Sequence, residues 1–434
     1  MSETGIQARR AALEAIFGAA VAAAHPAGCL PPHLPEAPPN GRLIVLAAGK
    51  AGGSMAEVAE AHYRERGVDP ARIAGLAVAR HGYGRPLERL PMIEAGHPVP
   101  DAGSVAGAGQ ALDLAAAAGP DDLVLVLLSG GASANWVAPA GALTLEEKRA
   151  ITRHLLRSGA AIDEINAIRK RLSRIKGGRL ARAAHPARLL TLAISDVPGD
   201  DPAVIGSGPT VADPVSNAEA LAIAERYATP LGAARALFED PANETPKPGD
   251  PVFARSAFRI VMTPAEMLAA AATAAAAQGY VPLVLGADLE GEAREVAAAQ
   301  ARLAREALAR GGRTAILSGG ELTVTIRGQG RGGPNQEFAL ALAVELGGLA
   351  GVSALAADTD GTDGGAGAAT DPAGAVVDET TLARAGARGL DPAGSLADND
   401  STGFFEALGD LVAPGPTFTN VNDLRVILVD GTAA

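Results

Sequence analysis

Two kinds of side chain stand out by type and spacing: cations set in glycine-rich turns, and carboxylates crowded into loops. Lys50 sits in Gly49-Lys50-Ala51-Gly52-Gly53-Ser54, and Arg331 in Gly328-Gln329-Gly330-Arg331-Gly332-Gly333-Pro334-Asn335. Amides at the start of a helix, with a fixed cation beside them, suit a phosphate or carboxylate. Ser129-Gly130-Gly131-Ala132-Ser133 follows the strongest apolar run and offers small residues, hydroxyls and amides to the same kind of ligand. Ser318-Gly319-Gly320-Glu321 is a fourth such turn. Asp196, Asp200 and Asp201 crowd one loop and Asp358, Asp360 and Asp363 another. Hard oxygen donors of this kind suit Mg²⁺, which takes one or two carboxylates plus substrate phosphates.

Other chemistries fit less well. Gly328, Gly330 and Gly333 match the GxGxxG spacing of a nicotinamide site. The preceding Leu322-Thr323-Val324-Thr325-Ile326 alternates, however, as a half-exposed strand does, and is expected to form a hairpin with 313–317. Asp358-Thr359-Asp360-Gly361-Thr362-Asp363-Gly364 begins like a calcium loop without the closing Glu. The seven histidines show neither HxH nor HxxxH spacing, and GxSxG is absent, which disfavours a zinc site and a serine hydrolase.

These turns need rigid elements behind them, and the composition says which. Of 434 residues, 53 are Gly and 30 are Pro, while aromatics number only 8 Phe, 4 Tyr and 1 Trp, so the core must be aliphatic and Ala-rich. Short apolar runs at 43–48, 73–79, 123–128 and 189–194 alternate with helical patterns at 102–117, 144–159 and 162–183. This rhythm predicts an α/β layer structure with a mostly parallel sheet. Turns at the carboxyl ends of such strands are where open α/β sheets bind ligands. A net charge of −12 without a basic run speaks against nucleic acid. Arg9 and Arg10 precede an Ala-rich run that contains Glu14 and reads as an amphipathic helix, and no apolar run is long enough for a membrane span. The lone Cys29 excludes an internal disulfide, and a cytoplasmic location is expected.

The Pro- and acid-rich stretch 239–252 reads as a linker, dividing the chain into an N-terminal α/β domain, 1–242, and a C-terminal one, 253–434. The second series comprises strands at 258–262, 281–285, 313–317, 322–326, 352–356 and 424–429, with helices at 264–278, 292–310 and 336–346.

Taken in order, GKAGGSM at 49–55, GHPVPD at 96–101, SGGAS at 129–133, IRKRLSRIKGGRLA at 168–181, SDVPGDDPAVIGSGPT at 195–210, SGGELTVTIRGQGRGGPNQEFALALA at 318–343, DTDGTDG at 358–364 and TNVNDLRVILV at 419–429 cover nearly the whole chain. Together they resemble the class II glycerate 2-kinases, built from an N-terminal glycerate kinase domain and a C-terminal MOFRL domain and often labelled hydroxypyruvate reductase. The resemblance implies a Rossmann-like N-terminal domain, a mixed-sheet C-terminal domain and an active site in the cleft between them. It implies ATP-dependent phosphorylation of D-glycerate at its 2-hydroxyl, with Mg²⁺, giving 2-phosphoglycerate and ADP; the alternative is a hydroxypyruvate reductase using NAD(P)H. Lys50 and Arg331 are then the cations on glycerate and the transferring group, and Asp196 the base or a metal ligand. Gly49, Gly52, Gly53, Ser54, Ser129, Gly130, Gly131, Ser133, Arg169, Lys176, Ser207, Ser318, Gly319, Gly320, Glu321 and Asn335 fall to nucleotide and substrate, and Asp358, Asp360 and Asp363 to the metal. A homodimer is allowed for. Ala132 and Pro334 depart from the patterns SGGGS and GRGGRNQE, the second leaving Arg331 with one cation fewer beside it.

Overall fold

A computed structural model describes residues 3–365 and 367–431. The chain forms two compact units, one of Cys29–Val261 and one of Met1–Gly28 with Met262–Ala434.

The first unit is built on a six-stranded sheet. Its strands are β1 (Leu43–Ala48), β2 (Ile73–Arg80), β3 (Met92–Ala95), β4 (Leu123–Leu128), β5 (Arg188–Ile194) and β6 (Ser256–Met262), in spatial order β3-β2-β1-β4-β5-β6. The pairings among β1 to β5 are parallel, and β6 lies beside β5. Every residue of β1 and β4 is buried, as expected of central strands covered on both faces. Two hydrophobic clusters accompany the sheet, rich in Ala as the composition requires and with Trp136 and Phe238 among their few aromatics. Strand order reverses direction between β1 and β4, which makes their carboxyl ends the expected ligand position.

The helix Ala102–Ala116 starts on Asp101, which accepts from the Ser104 amide at 3.1 Å and contacts His81 Nε2 at 2.7 Å. The helix Leu145–Arg157 starts on the expected Thr144/Glu147 capping box. The single helix expected over 162–183 is two, Ile162–Arg171 and Arg179–Ala184. Gly177 and Gly178 between them have φ of 59° and 78°, and a Cβ on Gly178 would lie 2.8 Å from the Val211 carbonyl oxygen. Lys176 is therefore carried on a loop.

The second unit holds β7 (Val281–Gly286), β8 (Gly312–Ser318), β9 (Val352–Asp358), β10 (Gly374–Asp378), β11 (Leu411–Val412) and β12 (Asp423–Gly431), ordered β11-β10-β9-β12-β8-β7. β7 and β8 are parallel, while β12 runs antiparallel to both β8 and β9. This corrects the expected hairpin: β8 pairs with β7 and β12, and 322–326 joins no sheet. Thr323 makes only a bridge to Gly291–Glu292, because the edge it would need on β8 is taken.

The division of the chain also differs from the one expected. The stretch 239–252 is packed, with Asn243, Glu244 and Thr245 bonding to Arg171 or its backbone. β6 beyond it completes the first sheet, so the crossing falls at 261–262. The opening helix, Glu3–Ala24, belongs to the second unit and packs there with the helix Pro264–Ala277. Arg9, 1% exposed, bonds Ser353 and Glu379, and Arg10 reaches Asp378 and Asp410. Both arginines are ion-paired within the second unit.

Candidate functional site

In the first unit the turns after β1 and β4 lock together. The Lys50 amide donates to the Gly130 carbonyl (2.8 Å) and the Ala51 amide to Ser129 Oγ (2.9 Å). Gly49 has φ of 122°, and a Cβ there would sit 2.2 Å from Ser129 Oγ, so the two turns could not close with any other residue. The Ser129 hydroxyl oxygen thus accepts from backbone, and that of Ser54 donates to the Ala51 carbonyl. Gly52 and Gly53 are buried against the sheet: a Cβ on the first would meet the Val78 carbonyl at 2.7 Å, and on the second Met92 Cε at 2.9 Å. These glycines and hydroxyls position the turn. The half-buried Lys50 side chain runs beside Gly131, where a Cβ (φ 82°) would lie 3.3 Å from Lys50 Cγ and 3.0 Å from His97 Cδ2.

Ser133 turns the other way. Its hydroxyl meets Ser207 Oγ at 2.7 Å, and its carbonyl accepts from Lys176 Nζ at 2.9 Å. Ser207 is buried with φ of 64°, between Gly206 and Gly208 that also have positive φ. Lys176, Arg169 and Ser133 line a cavity of about 180 Å³ together with Lys148, Arg149 and Arg153. Lys148 is 5% exposed and donates to the Leu172 carbonyl at 2.7 Å. It escaped the sequence reading, yet it stands in the apolar stripe Leu145, Ile151, Leu155 of its helix, where a charge demands a reason. Asp196 is half-buried in the turn after β5, the strand next to β4.

In the second unit the polar residues gather where β8 and β9 end and β12 begins. Arg425 is fully buried and holds the Ser318-Gly319-Gly320 turn, bonding Ser318 Oγ (3.2 Å) and the Gly320 carbonyl (3.1 Å); Gln300 bonds Ser318 Oγ at 3.0 Å. Glu321 beyond the turn is exposed. Asp363 accepts from the amides of Asn335 (3.0 Å) and Gln336 (2.9 Å) and from the Gln336 side chain, so it caps the helix Pro334–Leu346. Asp360 accepts from the Thr362 amide and Asp358 from that of Asp360. Among the described residues no group of three His, Cys, Asp or Glu is placed to hold a metal ion; these three carboxylates serve their own turns and a helix cap. The Asn335 side chain is buried, donates to Asp423 at 2.7 Å, and leaves its oxygen without a hydrogen-bond donor.

Burial, and then the nearby Asp423 charge, pushes the Asp363 carboxyl up to about 7 against the pull of the helix amides. The folded state then keeps a proton that the unfolded chain has released. Stability should fall as pH rises from about 4 to about 7, and Asp423→Asn should flatten that fall. Urea midpoints across this range measure it; a midpoint that climbs steadily to pH 7 in both proteins would show Asp363 ionised throughout.

Arg331 is exposed and pairs with exposed Glu406 at 2.7 Å. The glycines of its loop meet packing needs: a Cβ on Gly328 would lie 2.3 Å from Asp398, on Gly330 2.4 Å from Asp400, and on Gly333 2.4 Å from Asp363. With no buried strand leading into the loop, the dinucleotide fingerprint has no structural counterpart.

Residues 314–423 match the MOFRL family, and 12–238 match a family described as a domain of unknown function, DUF4147. A D-glycerate 2-kinase of Thermotoga maritima is 36% identical over 395 residues, 89% of this chain and 91% of its own. The chain belongs to the glycerate 2-kinase family. A glycerate kinase structure from Thermotoga maritima superposes with a TM-score of 0.84 at 35% identity, covering 95% of this chain and 97% of that one. A protein of Agrobacterium vitis, 48% identical over 97% of this chain and 94% of its own, bears the provisional name hydroxypyruvate reductase. The family's two α/β domains are present here, and among the described residues no helix is long and apolar enough to cross a membrane.

Proposed function

We propose that the protein phosphorylates D-glycerate at its 2-hydroxyl with ATP, giving 2-phosphoglycerate and ADP. One observation carries the reading. In a chain aligned along nine tenths of its length with a D-glycerate 2-kinase, a lysine stands in two interlocked turns at the switch point of a parallel sheet. Phosphoryl transfer asks for positioning and fixed positive charge more than for covalent chemistry, and Lys50 in a rigid turn supplies both. Asp196, in the neighbouring turn, would accept the hydroxyl proton or hold Mg²⁺ brought with ATP. Arg331 would add charge stabilisation on the transferring group. A cytoplasmic location and a small-molecule substrate belong to the same reading, and a homodimer is compatible with it.

The deciding assay incubates the protein with D-glycerate, ATP and Mg²⁺ and follows ADP, then mixes hydroxypyruvate with NADH and follows absorbance. ADP formation whose product enolase accepts without a mutase identifies the 2-kinase. NADH consumption without ADP would overturn the reading in favour of the reductase. Arg331→Ala should lower kcat/KM by about 10²-fold. It should leave the thermal midpoint unchanged, because an exposed ion pair adds little stability. Unaltered turnover would remove Arg331 from the mechanism.

A further inference from the structure

The cavity in the first unit has a composition that the kinase reading leaves unused. Of its fourteen lining residues five are cations, Lys148, Arg149, Arg153, Arg169 and Lys176, and none is Asp or Glu. The two lysines are buried and donate only to carbonyl or hydroxyl oxygens: Lys148 to Leu172 and Arg169, Lys176 to Ser133, Gly206 and Ser207. Burial lowers both ammonium groups well below the ordinary lysine value, and the neighbouring cations, Arg169 foremost, lower them further. Two other buried cations of the same unit, Lys170 and Arg171, do have a carboxylate, Asp213. Unpaired buried charge is expensive, so the cavity is built around an anion supplied from outside.

The size of the charge chooses among anions. A single carboxylate would leave most of this positive charge uncompensated, whereas a polyphosphate matches it. The rim chooses further. Val99 and Leu156, 60% and 64% exposed, are two of the few large apolar side chains left in water, and both line this cavity. With Pro98 and Leu145 they form an aliphatic wall beside the cations. An apolar wall joined to a polyphosphate site is the pattern a nucleoside triphosphate fills.

Resting on the kinase reading, we infer that this cavity of the first unit is the nucleotide pocket, with Lys148, Arg169 and Lys176 on the phosphates and Val99 and Leu156 against the base. The pocket lacks aromatic walls, which accords with so few rings in the chain.

Calorimetric titration of the full chain with the non-hydrolysable β,γ-imido analogue of ATP, with Mg²⁺, tests it. In Lys148→Met the dissociation constant should rise at least about 10-fold, as expected for loss of a charge-assisted contact. In Leu156→Asp, a change at an exposed position that leaves folding alone, it should rise by a similar factor. In both variants KM for ATP should follow while KM for D-glycerate stays within about twofold, since neither residue would touch that substrate. Unchanged analogue affinity in Leu156→Asp, or a rise confined to the KM of D-glycerate, would overturn the nucleotide assignment while the kinase reading stood. Tight analogue binding by the wild type that both variants lose, without ADP formation from any D-glycerate mixture, would support the pocket while the kinase reading fell.

Discussion

Lys50→Ala should lower kcat/KM for D-glycerate by 10²- to 10³-fold, about the loss seen when one preorganised donor to a developing charge is removed. The fold should survive, because the turn is held by the Lys50 amide, the Ala51 amide and Ser129, all of which alanine keeps. What is lost is the side chain beyond Cβ with its ammonium, beside His97 and Gly131. If Lys50 acts on the transferring group, kcat should fall while KM for ATP changes little. A rise in D-glycerate KM with kcat intact would place it on the substrate carboxylate instead. Thermal midpoints of the two proteins should agree within a degree or two; wild-type rates would take Lys50 out of the chemistry.

The largest effect on stability is expected at Asp213. Its carboxylate is buried, pairs with Lys170 at 3.3 Å and with Arg171, and accepts from Thr245 Oγ1 at 3.0 Å. Burial opposes its ionisation, but the Arg171 and Lys170 charges hold its pKa below the usual carboxylate range. Asp213→Ala strands two buried cations and should destabilise the protein by about 3–5 kcal/mol, read from urea midpoints. Arg171 also reaches Asn217, Glu244 and Thr245, so the loss loosens the helix Ile162–Arg171 from the segments around 213–217 and 243–245. Adding Arg171→Met should return part of the stability, because one stranded charge goes. A double variant no better than the single one would show the loss to be packing and not charge.

How far the sequence carried the reading depended on whether a feature is local. Period-two and period-3.6 patterns are properties of a few adjacent residues, so β1 and β4 match their expected ranges and Thr144/Glu147 caps where it should. The segment 322–326 has the alternation of a strand but lacks a partner, because β12, from the far end of the chain, occupies the free edge of β8. Long-range competition of this sort leaves no trace in the segment itself. The 239–252 stretch failed similarly: Pro and acidic residues mark a surface path, and only the tertiary partners Arg171 and Asn217 show that the path is packed.

The site divides along the same line. Lys50 and Ser133 were legible as a cation and a hydroxyl in glycine-rich turns, while Arg169, Lys176 and Ser207 came only with the family resemblance; Ser133 bonds Ser207 and Lys176, and Ser133, Arg169 and Lys176 line one cavity. The glycines proved ambiguous, because the type that lets amides approach a phosphate is the one that lets backbone approach backbone, and geometry alone separates the uses. Asp363 has a conspicuous motif, but its role as a cap depends on where the helix Pro334–Leu346 begins. Arg425 and Asp423 lay inside a strand pattern and carried no separate signal.

The opening helix completes the unit that is otherwise made from the last part of the chain. During synthesis Leu13, Ile16, Phe17 and Ala20, all buried in the folded protein, emerge before the residues that cover them. The helix they pack with and the strands carrying Ser353 and Asp430 are translated only after residues 29–261. That whole intervening unit can fold on the ribosome while the leading segment waits with an apolar stripe uncovered. Until the later part is made that stripe lacks its partner, and expression of the later part alone would begin without one of its walls.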